Sequence, residues 1–328
     1  MDKRPVIFGI GNPLVDIIYH VNYKDIENLK LQKGSMQLVS EERQSEIIEY
    51  FKLNDPQYMP GGSAPNTILA CNGLGVASII SGKIGDDKFG EIYLKQIGEY
   101  GGISGLVKGE GVTGTSIILI TPDAERTMNT HLGICREYSS KDVNAEILAK
   151  SSFLYFTGYM WDTESQKKAI LNAIDIAHEK NIKICFDVAD PFVVERNREE
   201  FLKLIYDNVD IVFTNEPELS ILFDSDDIDS SIDKLISMVD CGAVKLGKKG
   251  SVVFNNSEKF IVEPKIVQPK DTTGAGDMYA AGFLSSISKK EGYKIAGKKG
   301  NSIAEEIIKI DGAQFSKKKI DSLRSNFF

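Results

Sequence analysis

Short apolar runs alternate along most of the chain with longer stretches whose apolar positions return at helical spacing. Val6–Ile10 reads as a buried strand that stops at Gly11-Asn12-Pro13, and Val15–Val21 as a second strand with Asp16 near its start. Lys33–Val39 suits a short strand and Glu41–Lys52 a helix capped by Ser40. The turn Gly61-Gly62-Ser63-Ala64-Pro65-Asn66 opens a helix that runs through Gly73; Ala77–Ser81 is a strand and Lys88–Glu99 a helix. Thr115–Thr121 and Arg126–Leu132 are β-rich runs joined by Pro122-Asp123-Ala124-Glu125, a hairpin signature. From Phe153 the alternation is strict. Strands fall at Phe153–Phe156, Lys183–Asp187, Ile211–Phe213 and Gly242–Leu246, and helices at Glu164–Lys180, Glu199–Tyr206, Glu216–Phe223 and Ile232–Val239. Ser251–Phe254 begins another hairpin, and helices from Asp277 and over Ser302–Ile310 close the pattern.

Strand–helix alternation with apolar strands predicts an α/β fold, its mostly parallel central sheet covered by helices on both faces. The early hairpins, at Asp16–Val39 and Thr115–Leu132, do not fit that alternation and predict a small β-sheet lid inserted into the larger unit. The expected organisation is one unit over 1–328. Its large domain spans about 1–11, 53–111 and 134–328, and its lid part of 12–52 together with 112–133.

Composition narrows the partners. With 328 residues, 42% of them apolar, the chain can bury a substantial core. A net charge of −8 argues against nucleic-acid or membrane partners, so any anion must be held by local donors. Asn12, Pro13 and Asp16 interrupt the apolar stretch after Lys3-Arg4, which argues against a signal peptide, and no apolar run is long enough to span a bilayer; a cytoplasmic location is expected. Neither Cys71, Cys135, Cys185 and Cys241 nor His20, His131 and His178 show metal-ligand spacing. Gly109–Gly114 matches a dinucleotide-binding glycine pattern on paper, but it precedes a β-branched run where a helix should open. Gly242–Lys249 nearly matches a P-loop, with Lys249 where a hydroxyl is needed, and the lysines of 289–299 read as a solvated loop.

The most informative stretch is Asp271-Thr272-Thr273-Gly274-Ala275-Gly276-Asp277, which leads straight into an amphipathic run. Gly274 and Gly276 leave the backbone uncovered, and a helix N-terminus offers unpaired N–H donors to an anion. Asp277 would set a carboxylate beside that anion, an arrangement suited to moving a phosphoryl group onto a hydroxyl; the bland alternative is an ordinary helix-capping Asp.

Taken with Asp16, the Gly61-Gly62…Asn66 turn and Asn215-Glu216-Pro217-Glu218, this stretch resembles the ribokinase-like (PfkB-type) carbohydrate and nucleoside kinase family over Gly9 to about Phe315. Gly11-Asn12-Pro13-Leu14-Val15-Asp16-Ile17 and Glu125-Arg126-Thr127-Met128 look more like its adenosine kinase branch. The resemblance implies that Asp277 is the general base and that the amides around Gly274, Ala275 and Gly276 stabilise the transferring phosphoryl group. A carboxylate at a helix start favours its charged form, so proton transfer is expected late. It further implies that Asp16 binds two vicinal hydroxyls, with Asn12, Gly61, Gly62, Asn66 and the Ser63 backbone completing the pocket, and that Arg126 is a lid cation for the phosphates. Asn215 and Glu218 would hold Mg2+ and phosphates, mostly through water. The Gly247…Gly250 turn would lie along ATP and Asn301 would approach the adenine. Lys245 stands where a Thr is usual, and either reaches a phosphate or points to solvent. Asp271 and the Thr273 carbonyl match a monovalent-cation (K+) site of some members, with Gly312 near its third element. The implied activity is ATP- and Mg2+-dependent phosphorylation of a primary hydroxyl, adenosine to AMP being favoured. A sugar kinase acting on ribose, fructose or a related ketose is the alternative, and a non-catalytic binding sensor the distant one. Lid residues such as Tyr19 and Met36 would shape the acceptor pocket, and the protein would be a monomer or a homodimer.

Overall fold

Residues 6–123 and 125–328 are described by the structure, a computed structural model; Lys3, Arg4 and the turn residue Ala124 lie outside the described residues. The first half of the chain forms β1 (Ile7–Ile10), β2 (Leu14–His20), α1 (Tyr23–Asn28), β3 (Met36–Leu38), α2 (Glu41–Tyr50), β4 (Gln57–Gly61), α3 (Ser63–Gly73), β5 (Ser78–Gly85), α4 (Lys88–Glu99), β6 (Ile103–Gly109), β7 (Gly114–Ile120), β8 (Arg126–His131) and α5 (Ala145–Leu148). The second half forms β9 (Phe153–Thr157), α6 (Glu164–Lys180), β10 (Lys183–Asp187), α7 (Pro191–Asn208), β11 (Ile211–Asn215), α8 (Glu216–Phe223), α9 (Ile228–Ile236), β12 (Cys241–Lys245), β13 (Ser251–Asn255), β14 (Lys259–Val262), α10 (Ala275–Ser288), α11 (Tyr293–Ile307) and α12 (Lys317–Phe327).

Nine strands make the large sheet, in the order β14-β13-β12-β11-β10-β9-β1-β5-β6. All neighbours from β12 to β6 are parallel; β13 and β14 run antiparallel at one edge. Alternation within the strands divides the core into two layers. Leu154, Phe156, Ile184 and Phe186 pack with residues of α6, α7, α8 and α9, whereas Tyr155 and Cys185 pack with α3, α10 and α11. Helices on both faces are what continuous apolar parallel strands require.

The smaller sheet has the order β3-β8-β7-β2-β4. The β7–β8 hairpin forms as expected, Thr115 opposite His131 and Ile120 opposite Arg126. The Asp16–Val39 hairpin does not. β2 pairs instead with β4 and β7, and β3 crosses to the far edge to pair parallel with β8, because α1 carries the chain across the sheet. β4 lies beyond the expected lid limit at residue 52; Pro60 and Gly61 are poor strand formers, tolerated because β4 is an edge strand. Val15, Ile17 and Tyr19 face α1 and α2, Tyr19 stacking on Phe51 with ring centroids 4.9 Å apart, while Leu14 and Asp16 face the cleft. Tyr19 is therefore a core residue of the smaller sheet and does not face the cleft, against the expectation that it shapes the acceptor pocket.

α7 and α11 begin well before their expected starts. α7 starts at Pro191 behind the Asp190 cap, and Asn197 breaks its regularity (φ −127°). α11 starts at Tyr293, so the lysines of 293–299 are helical, not a loop: Ala296, Gly297 and Gly300 turn inward, Lys294 and Lys298 project outward, and Lys299 pairs with Glu291. No helix among the described residues is long and apolar enough to cross a membrane.

Candidate active site

In open parallel sheets ligands gather at the carboxyl ends of the strands. Here β10, β11 and β12, adjacent in the sheet, end on Asp187, Asn215 and Lys245. Two cavities open along that edge. The first, about 770 Å³, is lined by Asn215, Glu218, Lys245, Gly247, Gly250, Asn301 and the segment Gly274–Asp277. The second, about 650 Å³, is lined by Asn12, Asp16, Gly62, Ser63, Asn66 and again Asp277. Asp277 thus stands at the junction, with Ser63 and Tyr159 also lining both.

Gly274 caps α10 at φ +74°, a left-handed conformation that glycine adopts without strain. The turn commits one amide, since Ala275 N donates to Thr272 O at 3.2 Å, a correction to the expectation that Ala275 would serve the anion. Among the described residues the amides of Gly276 and Asp277 have no protein acceptor, and they mark the anion-binding end of the helix. Ser63 Oγ donates to Asp277 Oδ1 at 2.6 Å, Asn66 Nδ2 donates to Oδ2 at 2.9 Å, and Thr67 Oγ1 donates to the Asp277 carbonyl at 3.2 Å. Asn66 is itself fixed by Gln314, whose Nε2 donates to its Oδ1 at 2.7 Å. Ser63 and Asn66 therefore spend their side chains on the acid. Burial pushes the Asp277 carboxyl up to about 7, against these two donors and with Asp187 adding to the rise. The expected low-basicity carboxylate is corrected: loss of water outweighs the helix terminus.

Asp16 faces the second cavity and has no hydrogen-bond partner among the described residues. Burial raises it to about 7, with Arg126 acting against the rise and Asp277 adding to it. Gly61 lines neither cavity; a Cβ there would stand 2.4 Å from Asp16 Oδ1, so its bareness makes room for the carboxylate. Asn12 Oδ1 accepts from Gln166 Nε2 at 2.6 Å. Arg126 lines neither cavity. Its guanidinium pairs with Asp271 and donates to Thr273 Oγ1 at 3.0 Å, tying β8 of the smaller sheet to the loop before α10. Asp271 also accepts from Thr273 N at 2.9 Å, Thr273 Oγ1 at 2.6 Å and Gly312 N at 2.8 Å. Asp271, Thr273 and Gly312 do converge, but the Asp271 carboxylate is committed to these donors and to an organic cation of the protein itself, so its side chain does not fit a monovalent-ion ligand.

On the other side of the junction, Asn215 caps α8 and forms a capping box with Glu218, whose oxygens accept from Asn215 N at 2.9 Å and Nδ2 at 2.6 Å. Glu218 is raised to about 7 by burial, Lys245 opposing and Asp187 reinforcing the shift. Lys245 does not point to solvent: its Nζ lies 3.2 Å from both oxygens of Asp187. Asn301 sits inside α11 and donates to Val262 O at 3.0 Å, so it supports the cavity wall more than it offers a free group. Sequence reasoning missed Asp187, Tyr159 and Gln314; an acid ending an apolar parallel strand was the available signal for Asp187.

The model of pfkB family carbohydrate kinases matches residues 37–320. The chain belongs to that family. It is a sugar or nucleoside kinase, a phosphotransferase with a hydroxyl acceptor. The solved adenosine kinase of Sinorhizobium meliloti is 34% identical, covers 98% of this chain and 99% of its own, and superposes with a TM-score of 0.88. A probable sugar kinase from Rhizobium etli is 31% identical, covers 99% of both chains and has the same TM-score, 0.88. Adenosine kinase of Schizosaccharomyces pombe is 23% identical over 94% of this chain and 95% of its own.

PfkB kinases use ATP and usually a divalent metal, and the donor set here can be weighed for one. Among the described residues no three potential metal-binding side chains cluster. Glu218 lines the first cavity, and the Asp187 carboxylate beside it is taken up by Lys245. Mg2+ retains several waters and needs only one or two carboxylates besides phosphate oxygens, so Glu218, reached through water, fits an ion that arrives on the nucleotide.

Proposed function

We propose that this kinase transfers the γ-phosphoryl group of MgATP to the 5′-hydroxyl of a ribonucleoside, adenosine in the first place, giving the monophosphate. The observation that carries this reading is the position of Asp277 at the junction of two cavities, one edged by helix-terminal amides and the other holding a second unpaired acid, Asp16. ATP occupies the first cavity with its phosphates toward the Gly276 and Asp277 amides, and the acceptor occupies the second. Asp16 accepts from the two vicinal ribose hydroxyls, which turns the 5′-hydroxyl toward Asp277. With a carboxyl near 7, Asp277 is a competent acceptor for that proton around neutrality. The oxygen then attacks the γ-phosphorus, the bond to the β–γ bridging oxygen breaks, and ADP leaves with the electron pair. Mg2+, held beside Glu218 through water, would neutralise phosphate charge.

A nucleoside is favoured over a free sugar by the far wall of the second cavity. Met36, Leu38 and Met128 from the lid, Leu132, and Phe192 from α7 give it an apolar face of the kind a purine needs. Phe192 and Leu38 are exposed at 73% and 56%, surface that a bound base would cover. The aromatic comes from the large domain and not from the lid. α1 and α2 cover the outer face of the lid sheet, which supports a monomer over pairing through that sheet. Sugar phosphorylation is the second reading, favoured by Glu195, Arg196 and Asp162 on the same cavity wall. The deciding experiment incubates the protein with MgATP and a panel of nucleosides and sugars, and follows ADP above the no-acceptor rate. Adenosine is expected to give the highest kcat/KM. A higher value for ribose or fructose would transfer the assignment to the sugar branch, and no ADP with any acceptor would remove the catalytic reading.

A further inference from the structure

Lys245 ends β12 as the register partner of Asn215, with Asp187 ending the strand beyond. Its ammonium and the Asp187 carboxylate are largely withdrawn from solvent, at 16% and 3% side-chain exposure. Of the lysines lining the first cavity, Lys248 and Lys265 are exposed and Lys245 alone is recessed. The Lys245 Nζ also stands 3.3 Å from where a Cβ on Gly276 would be, so it borders the first turn of α10 beside the uncommitted amides. An ammonium has three donors, and its two contacts to Asp187, at 3.2 Å each, are long for a charge-assisted pair. Burial opposes its charge, but Asp187 and Glu218 prevail and keep it an ammonium. A buried ion pair is a weak source of stability compared with well-packed apolar side chains. This one faces an open cavity at the point where main-chain donors converge.

We propose that Lys245 is a catalytic cation of this kinase: its ammonium, positioned by Asp187, contacts the β- and γ-phosphate oxygens of ATP and neutralises the charge that gathers as the γ-phosphoryl group departs. The proposal rests on the ATP-dependent transfer described above. Lys245 takes no proton in the step. The acceptor proton goes to Asp277, the new bond joins the acceptor oxygen to the γ-phosphorus, and the released pair stays on ADP, where the ammonium lies against it. Asp187 acts through Lys245 and is a positioning residue.

The test uses Lys245→Thr, Lys245→Arg and the double variant Lys245→Thr/Asp187→Asn, which removes both charges and so guards against a variant that fails only because Asp187 is left unpaired. Two readouts are taken on the whole chain: calorimetric binding of ATP and of AMP without acceptor, and kcat with the best acceptor. Loss of one preorganised donor predicts a kcat lower by about a hundredfold or more. ATP affinity should fall about tenfold, one tenfold step being about 1.4 kcal/mol, while AMP affinity stays within about twofold. Lys245→Arg should recover part of the loss. The double variant should resemble Lys245→Thr in both readouts, and Asp187→Asn alone should lower kcat less than Lys245→Thr. Equal effects on ATP and AMP, or a double variant with wild-type turnover, would overturn the role of Lys245. A wild-type protein that binds ATP more tightly than AMP through Lys245 yet turns over no acceptor would spare this inference while sinking the transfer reading; no ATP binding by the wild type would sink both.

Discussion

Two acids stand six positions apart, Asp271 in the loop before α10 and Asp277 in the first turn of that helix, and they are held in opposite ways. Asp271 receives Thr273 N, Thr273 Oγ1, Gly312 N and the Arg126 guanidinium. Burial would raise its carboxyl, but these donors more than offset it and hold it below the ordinary range. Asp277 receives two side-chain donors, Ser63 and Asn66, and burial carries it the other way, to about 7. The same residue type, six positions apart, becomes a fixed ion-pair partner or an acid poised near neutrality according to whether donors or dehydration dominate. An acid surrounded by N–H groups is locked as a carboxylate; one short of donors is poised near neutral pH.

The largest expected effect is on Asp277→Asn. Turnover should fall by roughly a hundred- to ten-thousandfold, the range of a general base. Folding should not suffer, and the linkage has a definite sign. A carboxyl near 7 in the native state and near 3.8 in the unfolded chain holds an extra native proton between those values. Its contribution to stability is therefore full below about 4 and lost as pH rises through 7. At pH 8 the native protein carries a buried charge that Asn lacks, so the variant should melt at or above the wild-type temperature. An unchanged kcat would break the contrast. Asp271→Asn should do the reverse. It leaves Arg126 short of its counter-charge at sites only 11% and 9% exposed, and should cost about 2–3 kcal/mol of stability. Thermal unfolding checks it, and an unaffected melting temperature would mean that this pair does not hold the smaller sheet to the loop before α10.

Much of this was legible in the chain because strong local patterns decided it. Lys88–Glu99, Glu164–Lys180 and Glu216–Phe223 have the limits that apolar spacing predicts, and in the structure Asp87, Thr163 and Asn215 cap their starts. β4 was hidden by Pro60 and Gly61, and the start of α11 by glycines and lysines whose helical register only packing reveals. Strand order in the lid depends on a crossover that no local window contains. At the site, the loop ending in Asp277 announced itself, but the pairs that tune it join distant parts of the chain: Arg126 with Asp271, Lys245 with Asp187, Ser63 and Asn66 with Asp277. The basicity of Asp277 could not be read from a helix start, since it is set by burial against two α3 donors that lie far away in the chain.

Ser63→Ala gives the smallest effect and the sharpest reading of that balance. Ser63 Oγ donates to Oδ1 at 2.6 Å, and such a bond favours the ionised acid and lowers its pKa. Removing it leaves dehydration less opposed, so the carboxyl should rise further, by about one unit if the bond contributes about 1.4 kcal/mol to the charged form. The acid limb of kcat/KM, which reports the free enzyme, should begin near 7 in the wild type and move to higher pH in the variant. On the alkaline plateau, where Asp277 is ionised in both, rates should agree within a few fold, because the remaining Asn66 contact, at 2.9 Å, still orients the acid. A limb that stays in place while the plateau drops would show that Ser63 contacts the acceptor, as the sequence alone suggested for its backbone. A limb that moves at constant plateau would identify the titrating group as Asp277 and its hydrogen bonds as what sets the working pH.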